Sequence, residues 1–293
     1  MKKILINKFV EIPMHLVLST IVIFFLGTLP QLFIGMELNV HNYINSITST
    51  FSKLFGNKPL TYYGPYMDPS IGRPLFPQIF IQYKQTAFVF LMSLLISVLV
   101  SFIIVYIILQ LPKRKQEKIK VFLDFLESIP DILFILGLQL LVVYIYKKTD
   151  VLIMNIAGIG DKKVVLLPIL CLSLPSIILF VKLLLFRFET ELQKDYILLA
   201  RAKGLGKLHI LNHHVLRNVL LSTLYFSKTN IWFMLSNLYI IEYFFNIPGT
   251  FLFLKNYGIP EVFIVSMLLI YIPIFIIFKL FHIFIPDELK GEG

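Results

Sequence analysis

The stretch DYILLARAKGLGKLHILNHHVLRN, residues 195–218, is a polar and basic passage in an otherwise apolar chain. Long runs of Leu, Ile, Val and Phe lie on either side of it, whereas the stretch itself contains two Arg, two Lys, three His and one Asp. Three small residues, Ala200, Ala202 and Gly204, lie near its middle. A segment of this composition is suited neither to a lipid-buried helix nor to an apolar core, so it requires an explanation of its own.

Helical patterns flank a glycine turn in this region. Glu189 to Lys203 is predicted to form one helix, and a second helical pattern runs from Lys207 to about Leu220. Gly204 follows the first helix, and glycine tolerates the positive φ that often ends a helix. Small residues at the bend would let another backbone approach closely, as in a docking element for a soluble partner. The alternative is an ordinary basic loop that fixes topology and contacts lipid headgroups.

The three histidines of the stretch raise the alternative of a metal site. His209 and His213 are four residues apart, and His214 follows directly. The segment has no H-E-x-x-H sequence, no nearby cysteine and no acidic third ligand. No metal site is therefore predicted.

Composition indicates a membrane protein. The chain has 293 residues, of which 57% are hydrophobic and only 15% are charged, whereas soluble domains carry about 25% charged residues. A net charge of +10 would suggest nucleic acid in a soluble protein. Here the basic residues mostly flank apolar runs, so they are interpreted as topology signals and no nucleic-acid partner is predicted. The one cysteine, Cys171, excludes a disulfide framework and a cysteine metal site.

Apolar runs predict an all-α protein with six membrane-spanning helices in one domain, residues 1–293, since a helix needs about 20 residues to cross the hydrocarbon. The third run is uncharged only from Ile132 to Tyr146 and is predicted to extend into the stretch before it. Four apolar residues there share a helical face: Ile119, Phe122, Leu123 and Leu126. The predicted spans are 12–33, 86–111, 121–146, 164–187, 222–245 and 262–285.

The distribution of Lys and Arg predicts the orientation. The segment PKRKQEKIK, residues 112–120, has five basic residues in nine and is assigned to the cytoplasm. This assignment also places both termini and the loop 188–220 in the cytoplasm. The segments predicted outside are the long loop 34–85, the loop 147–163 and the loop 246–261.

The stretch 195–218 resembles the EAA loop of permease subunits of bacterial ABC importers, in the form found in oligopeptide and dipeptide permeases. The pattern of that family runs approximately D-Y-[IV]-x-x-A-R-A-K-G-L, followed some residues later by H-x-L-R-N. By this resemblance the following residues are implied to couple to an ATPase: Asp195, Tyr196, Ala200, Arg201, Ala202, Lys203, Gly204, Leu205, His214, Arg217 and Asn218.

Other segments resemble the same family. SIPDILFILGLQLL at 128–141 is similar to the opening of its third span, and IEYFFNIPG at 241–249 is similar to its V-E-x-x-F-x-x-P-G passage. GRPL at 72–75 resembles the B-type member of the permease pair. Ser222 departs from the pattern, because a proline is usual there.

The resemblance implies a multi-pass permease of the bacterial cytoplasmic membrane, with the type I importer fold and a cytoplasmic coupling helix. The implied partners are a second homologous permease, one or two cytoplasmic ABC ATPases and an extracellular solute-binding protein. The implied substrate is a peptide or related small solute, with nickel or a metal chelate as the alternative within the family. Glu242 is a candidate pathway or gate residue, or else a carboxylate hydrogen-bonded within the helix bundle.

The chain is predicted to be neither an enzyme nor an ATP-binding protein. It contains no G-x-x-x-x-G-K-[ST] sequence, so ATP and Mg²⁺ are expected on partner ATPases and no cofactor is expected on this chain. A self-contained secondary transporter or channel is the main alternative, but it would be expected to carry ionisable residues at mid-membrane and paired broken helices. An intramembrane enzyme would need paired carboxylates, G-x-S-x-G or a His cluster in a span, and none is present.

Overall fold

The computed structural model of the protein describes residues 2–34, 37–64, 72–158 and 164–284, and most of them are helical. The α-helices are α1 (Lys2–Thr28), α2 (Val40–Phe55), α3 (Gln78–Gln110), α4 (Lys113–Glu127), α5 (Asp131–Thr149), α6 (Leu166–Leu192), α7 (Asp195–Ala202), α8 (Lys207–Ile210), α9 (Leu216–Phe226), α10 (Lys228–Phe244), α11 (Thr250–Asn256) and α12 (Pro260–Phe284). A 3₁₀ turn covers Leu29–Leu32 and a π-helical turn covers Leu211–Val215. Short strands form two antiparallel pairs: β1 (Phe33–Ile34) with β2 (Glu37–Leu38), and β3 (Thr61–Tyr62) with β4 (Arg73–Pro74).

Within the described residues, five helical stretches are long and apolar enough to cross a membrane. They confirm the prediction of an all-α membrane protein. The five stretches are Ile12–Leu32, Gln78–Gln110, Asp131–Thr149, Leu166–Leu192 and Pro260–Phe281.

The predicted fifth span, 222–245, is not one long helix. Its residues belong to α9 and α10, which are separated by Ser227. The α10 helix has 17 residues, which corresponds to about 25 Å at a rise of 1.5 Å per residue. Its length therefore lies at the lower end of what is needed to cross the hydrocarbon.

The predicted third span, 121–146, is also wrong at its start. The helix α4 ends at Glu127 and α5 begins at Asp131, so the apolar residues before Pro130 belong to a separate helix. Proline has no backbone N–H and disfavours helical φ and ψ in the residue before it, which explains the break. The shared apolar face of α4 is nevertheless largely confirmed, because Ile119, Leu123 and Leu126 pack into a buried cluster. Phe122 is an exception, since its side chain is exposed.

Backbone contacts divide the chain into two compact units, and the first comprises Met1–Thr86 and Pro248–Lys279. The segment predicted as an external loop folds within this unit, where it forms α2 and the paired strands β3 and β4. Asn39 caps α2, its side chain accepting a hydrogen bond from the Asn42 backbone N–H at 2.9 Å. Gly27 allows α1 to approach α12 closely, because a Cβ there would lie 2.7 Å from Ile264 Cγ1. The buried core of this unit contains Tyr62, Leu75, Ile79, Phe253 and Val262.

The second unit comprises Ala87–Ile247 and Leu280–Gly293, and α6 is its most buried helix. Three serines of α3 pack against α6 at intervals of four residues. The hydroxyls of Ser93, Ser97 and Ser101 lie 3.2, 3.3 and 3.2 Å from the carbonyl oxygens of Ile169, Ser173 and Ile177. Small side chains at such a seam let helix backbones approach closely within a bilayer. The seam joins α3 and α6, the helices that hold the candidate site described next.

Candidate functional site

The polar stretch 195–218 begins directly after α6. The predicted continuous helix from Glu189 to Lys203 is wrong, because α6 ends at Leu192 and α7 starts at Asp195. Between them Lys194 is extended, with φ −70° and ψ 149°, which redirects the chain. The predicted second helical segment, from Lys207, is confirmed, although it is built from α8, a π-helical turn and α9 and continues to Phe226. Such π turns are common at functional sites.

Gly204 ends α7 with a left-handed backbone, φ +78°, which agrees with the expected glycine turn. The Gly204 N–H donates to the Arg201 carbonyl oxygen at 2.9 Å, and the Leu205 N–H donates to that of Ala200 at 3.3 Å. These two bonds form a Schellman motif, which satisfies the free carbonyl groups at the helix end. A Cβ at Gly204 would meet nothing within 4 Å. The requirement for glycine is thus one of backbone conformation, not of space.

A buried carboxylate, Glu191, lies at the end of α6 and joins three helical elements. Its Oε1 accepts hydrogen bonds from the Tyr196 hydroxyl at 2.6 Å and from the Asn218 amide at 2.8 Å. Its Oε2 lies 2.8 Å from Lys194 Nζ. Breaking such a network is costly, since a buried charge would be left without its partners. Glu191 therefore fixes α7 and α9 to the end of α6.

Tyr196 acts as a second connection in the same network. Its hydroxyl accepts from the Asn218 amide at 3.3 Å and lies 3.3 Å from the carbonyl oxygen of His214 in the π turn. Burial raises the pKa of Tyr196 to about 12, and the hydrogen bond to Glu191 acts in the same direction. The phenol consequently stays protonated, and hence a hydrogen-bond donor, throughout the physiological pH range.

The inner face of the stretch is apolar and buried. Ile197 and Ala200 of α7 face inward, and Leu205 packs partly buried against the same cluster. Further buried apolar residues come from the later part of the stretch and from the residue directly after it: Ile210, Leu211, Val215 and Val219. Burial of these side chains, at about 25 cal/mol per Å² of apolar area, holds the stretch against α6.

The outer face of α7 combines exposed apolar residues with charge. Leu198 and Leu199 are 54% and 59% exposed, although both are large and apolar. Arg201, Ala202 and Lys203 are exposed beside them, at the start of the Gly204 turn. An exposed apolar patch with a polar rim is typical of a surface that contacts another protein or a membrane.

The predicted coupling residues thus divide between two roles. Asp195, Arg217 and the residues of the bend, Arg201 to Gly204, are exposed and available for contact. Ala200 is buried, while Tyr196 and Asn218 donate their hydrogen bonds to Glu191. His214 is half-buried and contributes its carbonyl group to the Tyr196 contact. The exposed group, together with the ring of Tyr196, which is 36% exposed, can contact another protein directly. The remaining residues hold that group in position.

The histidines lie close to one another without forming a metal cluster. The rings of His209 and His213 stack with centroids 4.5 Å apart, and the ring of His214 lies 6.0 Å from that of His209. In the described part of the chain, no group of three or more His, Cys, Asp or Glu side chains is placed to hold a metal ion.

Lys207 connects the stretch to the end of α3. Its Nζ donates to the carbonyl oxygen of Leu109, and the side-chain amide of Gln116 contacts the same oxygen at 3.4 Å and that of Leu111 at 2.8 Å. These carbonyl groups belong to the last turn of α3 and the residue after it, where the helix leaves them without intrahelical partners. The basic side chain also complements the negative end of the helix dipole. The stretch is therefore fixed to two membrane helices, α3 and α6.

Ion pairs attach the basic helix α4 to α6 near the same end. Lys120 Nζ lies 2.8 Å from Glu189 Oε1 and 3.0 Å from Glu117 Oε1. Its hydrogen bond to Glu189, followed by that to Glu117, raises the pKa of Lys120. On α6, Lys182 pairs with Asp124 at 2.7 Å and with Glu127. The segment 112–120 and the stretch 195–218 accordingly lie at the same end of α6.

Glu242 is fully buried in the last turns of α10. Its backbone carbonyl oxygen accepts from the Ile247 N–H at 3.0 Å. Nearby, Asn246 has a left-handed backbone, φ 48°, and its side-chain amide donates to the Gly158 carbonyl oxygen at 2.8 Å. The passage 241–249 therefore forms a compact turn after α10. None of these contacts tests a gating role for Glu242, which stays a prediction.

Sequence reasoning missed Glu191, Lys194 and the two exposed leucines. A signal for Glu191 was present, because a carboxylate at the end of a long apolar run needs nearby partners. Its partners Tyr196 and Asn218 were named, but only as residues implied to couple to an ATPase. The sequence shows only that Leu198 and Leu199 are two of the apolar residues of this segment. The fold shows that both side chains point outward.

Comparisons with known proteins show the family of the chain. Residues 107–287, more than half of the chain, match the family model of the binding-protein-dependent transport system inner membrane component. Over 122 residues the chain is 31% identical to the dipeptide transport system permease protein DppB of Lactococcus lactis subsp. cremoris (strain MG1363). That alignment covers 42% of this chain and 39% of the relative. The matched family region includes α4 to α12, and with them the whole stretch 195–218.

Proposed function

The chain belongs to the family of binding-protein-dependent transport system inner membrane components, and from this premise we propose that it is the permease subunit of an ATP-driven ABC importer. In this role it forms one half of a translocation pathway through the membrane. The chain performs no chemistry itself. ATP and Mg²⁺ bind to partner ATPases, whose closure supplies the energy for movement of the helices.

The outer face of α7 is the observation that carries the proposal. Leu198 and Leu199 expose apolar area that the chain itself does not cover, and Ala202 beside them leaves room for another backbone. Arg201 and Lys203 supply positive charge at the rim. A cytoplasmic ATPase with an apolar groove and an acidic edge fits this surface.

Rigid attachment of α7 supports a coupling role. The Glu191 network and Lys207 connect the stretch to α6 and α3. The serine seam joins these two helices over about two turns, from Ser93 to Ser101. A displacement of α7 by an ATPase would therefore move α6 and α3 as well. Coupling of this kind requires contiguous packed elements, which the second unit supplies.

The proposed partners follow from the family. A binding-protein-dependent importer requires a solute-binding protein outside, one or two ATPases in the cytoplasm and a second permease subunit of the same fold. We propose a heterodimeric pair in which this chain is the B-type member, on the basis of Gly72-Arg73-Pro74 shortly before the second span.

The proposed location is the cytoplasmic membrane, with both termini inside. The ion pair between Lys120 and Glu189, 2.8 Å long, supports one part of this orientation. It holds the basic segment 112–120 at the same end of α6 as the stretch 195–218, so both lie on one side of the membrane. The excess of Lys and Arg in these segments favours the cytoplasmic side.

We propose peptides as the substrate, because a relative, DppB, is named a dipeptide transport system permease protein. Metal chelates are the competing solute within the resemblance. The experiment is to purify the intact complex in mild detergent and identify its subunits and bound small molecules by mass spectrometry. The proposal predicts a second permease, one or two ABC ATPases and a peptide. A homogeneous protein without ATPase subunits that still transports would identify a secondary transporter instead.

A further inference from the structure

Two sides of the helix α2 differ in polarity. Four apolar residues on one side are each more than half exposed: Val40, Ile44, Phe51 and Phe55. At about 100° of rotation per residue, these four positions fall within one stripe about 60° wide on the helix surface. This apolar stripe carries no charge and no hydrogen-bonding side chain.

The side of α2 opposite the apolar stripe is polar and lines a cavity of about 670 Å³ in the first unit. Lys53 belongs to this side, and its Nζ lies 2.7 Å from Glu261 Oε1 at the start of α12. The other residues of α2 that line the cavity are Asn42, Asn45, Ser46, Ser49 and Thr50. None of the four stripe residues lines it. The polar side of α2 is thus held toward the protein, and the apolar stripe points away from the cavity.

This arrangement is the reverse of what water favours. A helix in water turns its apolar side toward the core, because burial of apolar surface contributes about 25 cal/mol per Å². In α2 the polar side is the one paired with the protein, while the apolar stripe remains exposed. Amphipathic helices with this division lie in the plane of a membrane interface, where their apolar side contacts acyl chains.

A row of aromatic rings connects the apolar stripe to the membrane-spanning helix α1. The ring centroids of Phe55 and Phe51 are 4.6 Å apart, and that of Phe24 lies 6.3 Å from that of Phe51. Phe25 continues the row at 6.0 Å from Phe24, and its side chain is exposed on α1. The candidate span that contains these two residues is only 11% buried. The apolar stripe is therefore continuous with a surface that faces lipid.

The contacts with α1 also determine the depth of α2. The Tyr43 hydroxyl of α2 donates to the Phe25 carbonyl oxygen at 3.4 Å. Phe25 precedes the end of the candidate span at Leu32 by roughly 10 Å, at 1.5 Å per residue. Interfacial helices bury their apolar face about 5–10 Å into the boundary between headgroups and acyl chains. This depth corresponds to the last turns of the span, where α2 contacts α1.

We propose that α2 is an interfacial helix that binds the lipid bilayer through its apolar stripe. The occupant of the stripe is lipid and not a protein, because the stripe is uncharged and joins the lipid-facing surface of α1 without a break. The polar side of α2 then holds the cavity at the level of the headgroups. The helix anchors the segment between the first two spans to the membrane surface.

Electron paramagnetic resonance of spin labels on α2 tests the inference. Single cysteines are introduced in a Cys171→Ala background, and the full chain, with the subunits that it retains, is reconstituted into phosphatidylcholine liposomes. Ile44→Cys and Phe55→Cys place the label on the apolar stripe. The matched controls are Asn45→Cys and Ser49→Cys, which are exposed on the polar side. Relaxation by oxygen, which partitions into lipid, is compared with relaxation by chromium oxalate, which stays in water.

Labels on the apolar stripe are expected to show a ratio of oxygen to chromium relaxation severalfold higher than labels on the polar side. A ratio as low at Ile44 and Phe55 as at Ser49 would place the stripe in water and overturn the inference. Weak relaxation by both reagents at the stripe would show that another protein covers it, which would also overturn the inference. Neither result touches the proposed function, which is judged by the subunits that purify with the chain.

A variant without a label gives an independent measurement. Ile44→Asp places a carboxylate on the apolar stripe, and removing a carboxylate from water into an apolar medium is costly. In lipid nanodiscs, amide hydrogen exchange across Val40–Phe55 is therefore expected to be severalfold faster in this variant than in the wild type. Asn45→Asp adds the same charge on the polar side and is expected to exchange like the wild type. Equal exchange in the two variants would contradict the proposed contact with lipid.

Discussion

The side-chain amide of Asn218 donates to Glu191 Oε1 at 2.8 Å, although the two residues are 27 positions apart in the chain. Tyr196 donates to the same oxygen at 2.6 Å. One carboxylate therefore connects the end of α6 with the first turn of α7 and the first turn of α9. Through it, the surface proposed to contact an ATPase is held against the most buried membrane helix of the second unit.

This connection predicts a local effect of Asn218→Ala. Removing the amide leaves a buried carboxylate with one donor fewer, and a hydrogen bond to a charged group contributes about 1.5–3 kcal/mol. Amide hydrogen exchange over residues 195–202 is therefore expected to accelerate roughly tenfold or more, while membrane insertion is unchanged. Asn212→Ala is the control, because Asn212 is exposed in the same stretch. Equal exchange in both variants would show that the Glu191 network does not stabilise α7.

Alanine is expected to have an effect at only one of the two glycines of the turn. Gly204 has φ +78° and Gly206 has φ −66°, and a Cβ at either position would meet nothing within 4 Å. Only Gly204→Ala is therefore strained, by about 1 kcal/mol. The measurement is exchange of the Leu205 amide, which donates to the Ala200 carbonyl oxygen. Faster exchange in Gly204→Ala alone is expected, and equal rates in the two variants would contradict the Schellman turn.

Sequence reasoning predicted the helical membrane fold and the Gly204 turn because both depend on local signals. Apolar runs near 20 residues and a glycine after a helix can be read without knowledge of tertiary contacts. It was wrong about the continuity of two predicted helices, which are interrupted by a proline in one case and by an extended residue in the other. Pro130 separates α4 from α5, and extended Lys194 separates α6 from α7.

The position of the candidate site along the chain could be predicted from the sequence, but the separate roles of its residues could not. Tyr196, Asn218 and exposed Arg201 have similar polar character in the sequence. Their different roles depend on Glu191, which lies outside the stretch that carries the resemblance. Long-range contacts of this kind, like the Lys53–Glu261 ion pair across more than 200 residues, leave no periodic pattern in a sequence.

The orientation predicts how two introduced cysteines react in whole cells. In a Cys171→Ala background, Lys58→Cys is expected to react with a membrane-impermeant thiol reagent and Lys115→Cys to be spared. Lys58 lies in the segment assigned to the outside, and Lys115 lies in the basic segment assigned to the cytoplasm. Both positions are exposed, so a difference in reactivity reports their side of the membrane. Labelling of Lys115→Cys in intact cells would reverse the orientation.

Recovery of the ATPase with Ala202→Trp tests the central claim most directly. Ala202 is exposed beside the Gly204 turn and away from the Glu191 network, so tryptophan there should obstruct a partner without disturbing the fold. Ala202→Ser, which keeps the side chain small, is the control. Membrane levels are first equalised, and the complex is then purified through this chain. The account predicts that Ala202→Trp retains the second permease, loses most of the ATPase on its side and transports poorly. Ala202→Ser is predicted to behave as wild type. Full ATPase recovery and normal transport with Ala202→Trp would contradict the account and leave the stretch 195–218 as a basic topology loop.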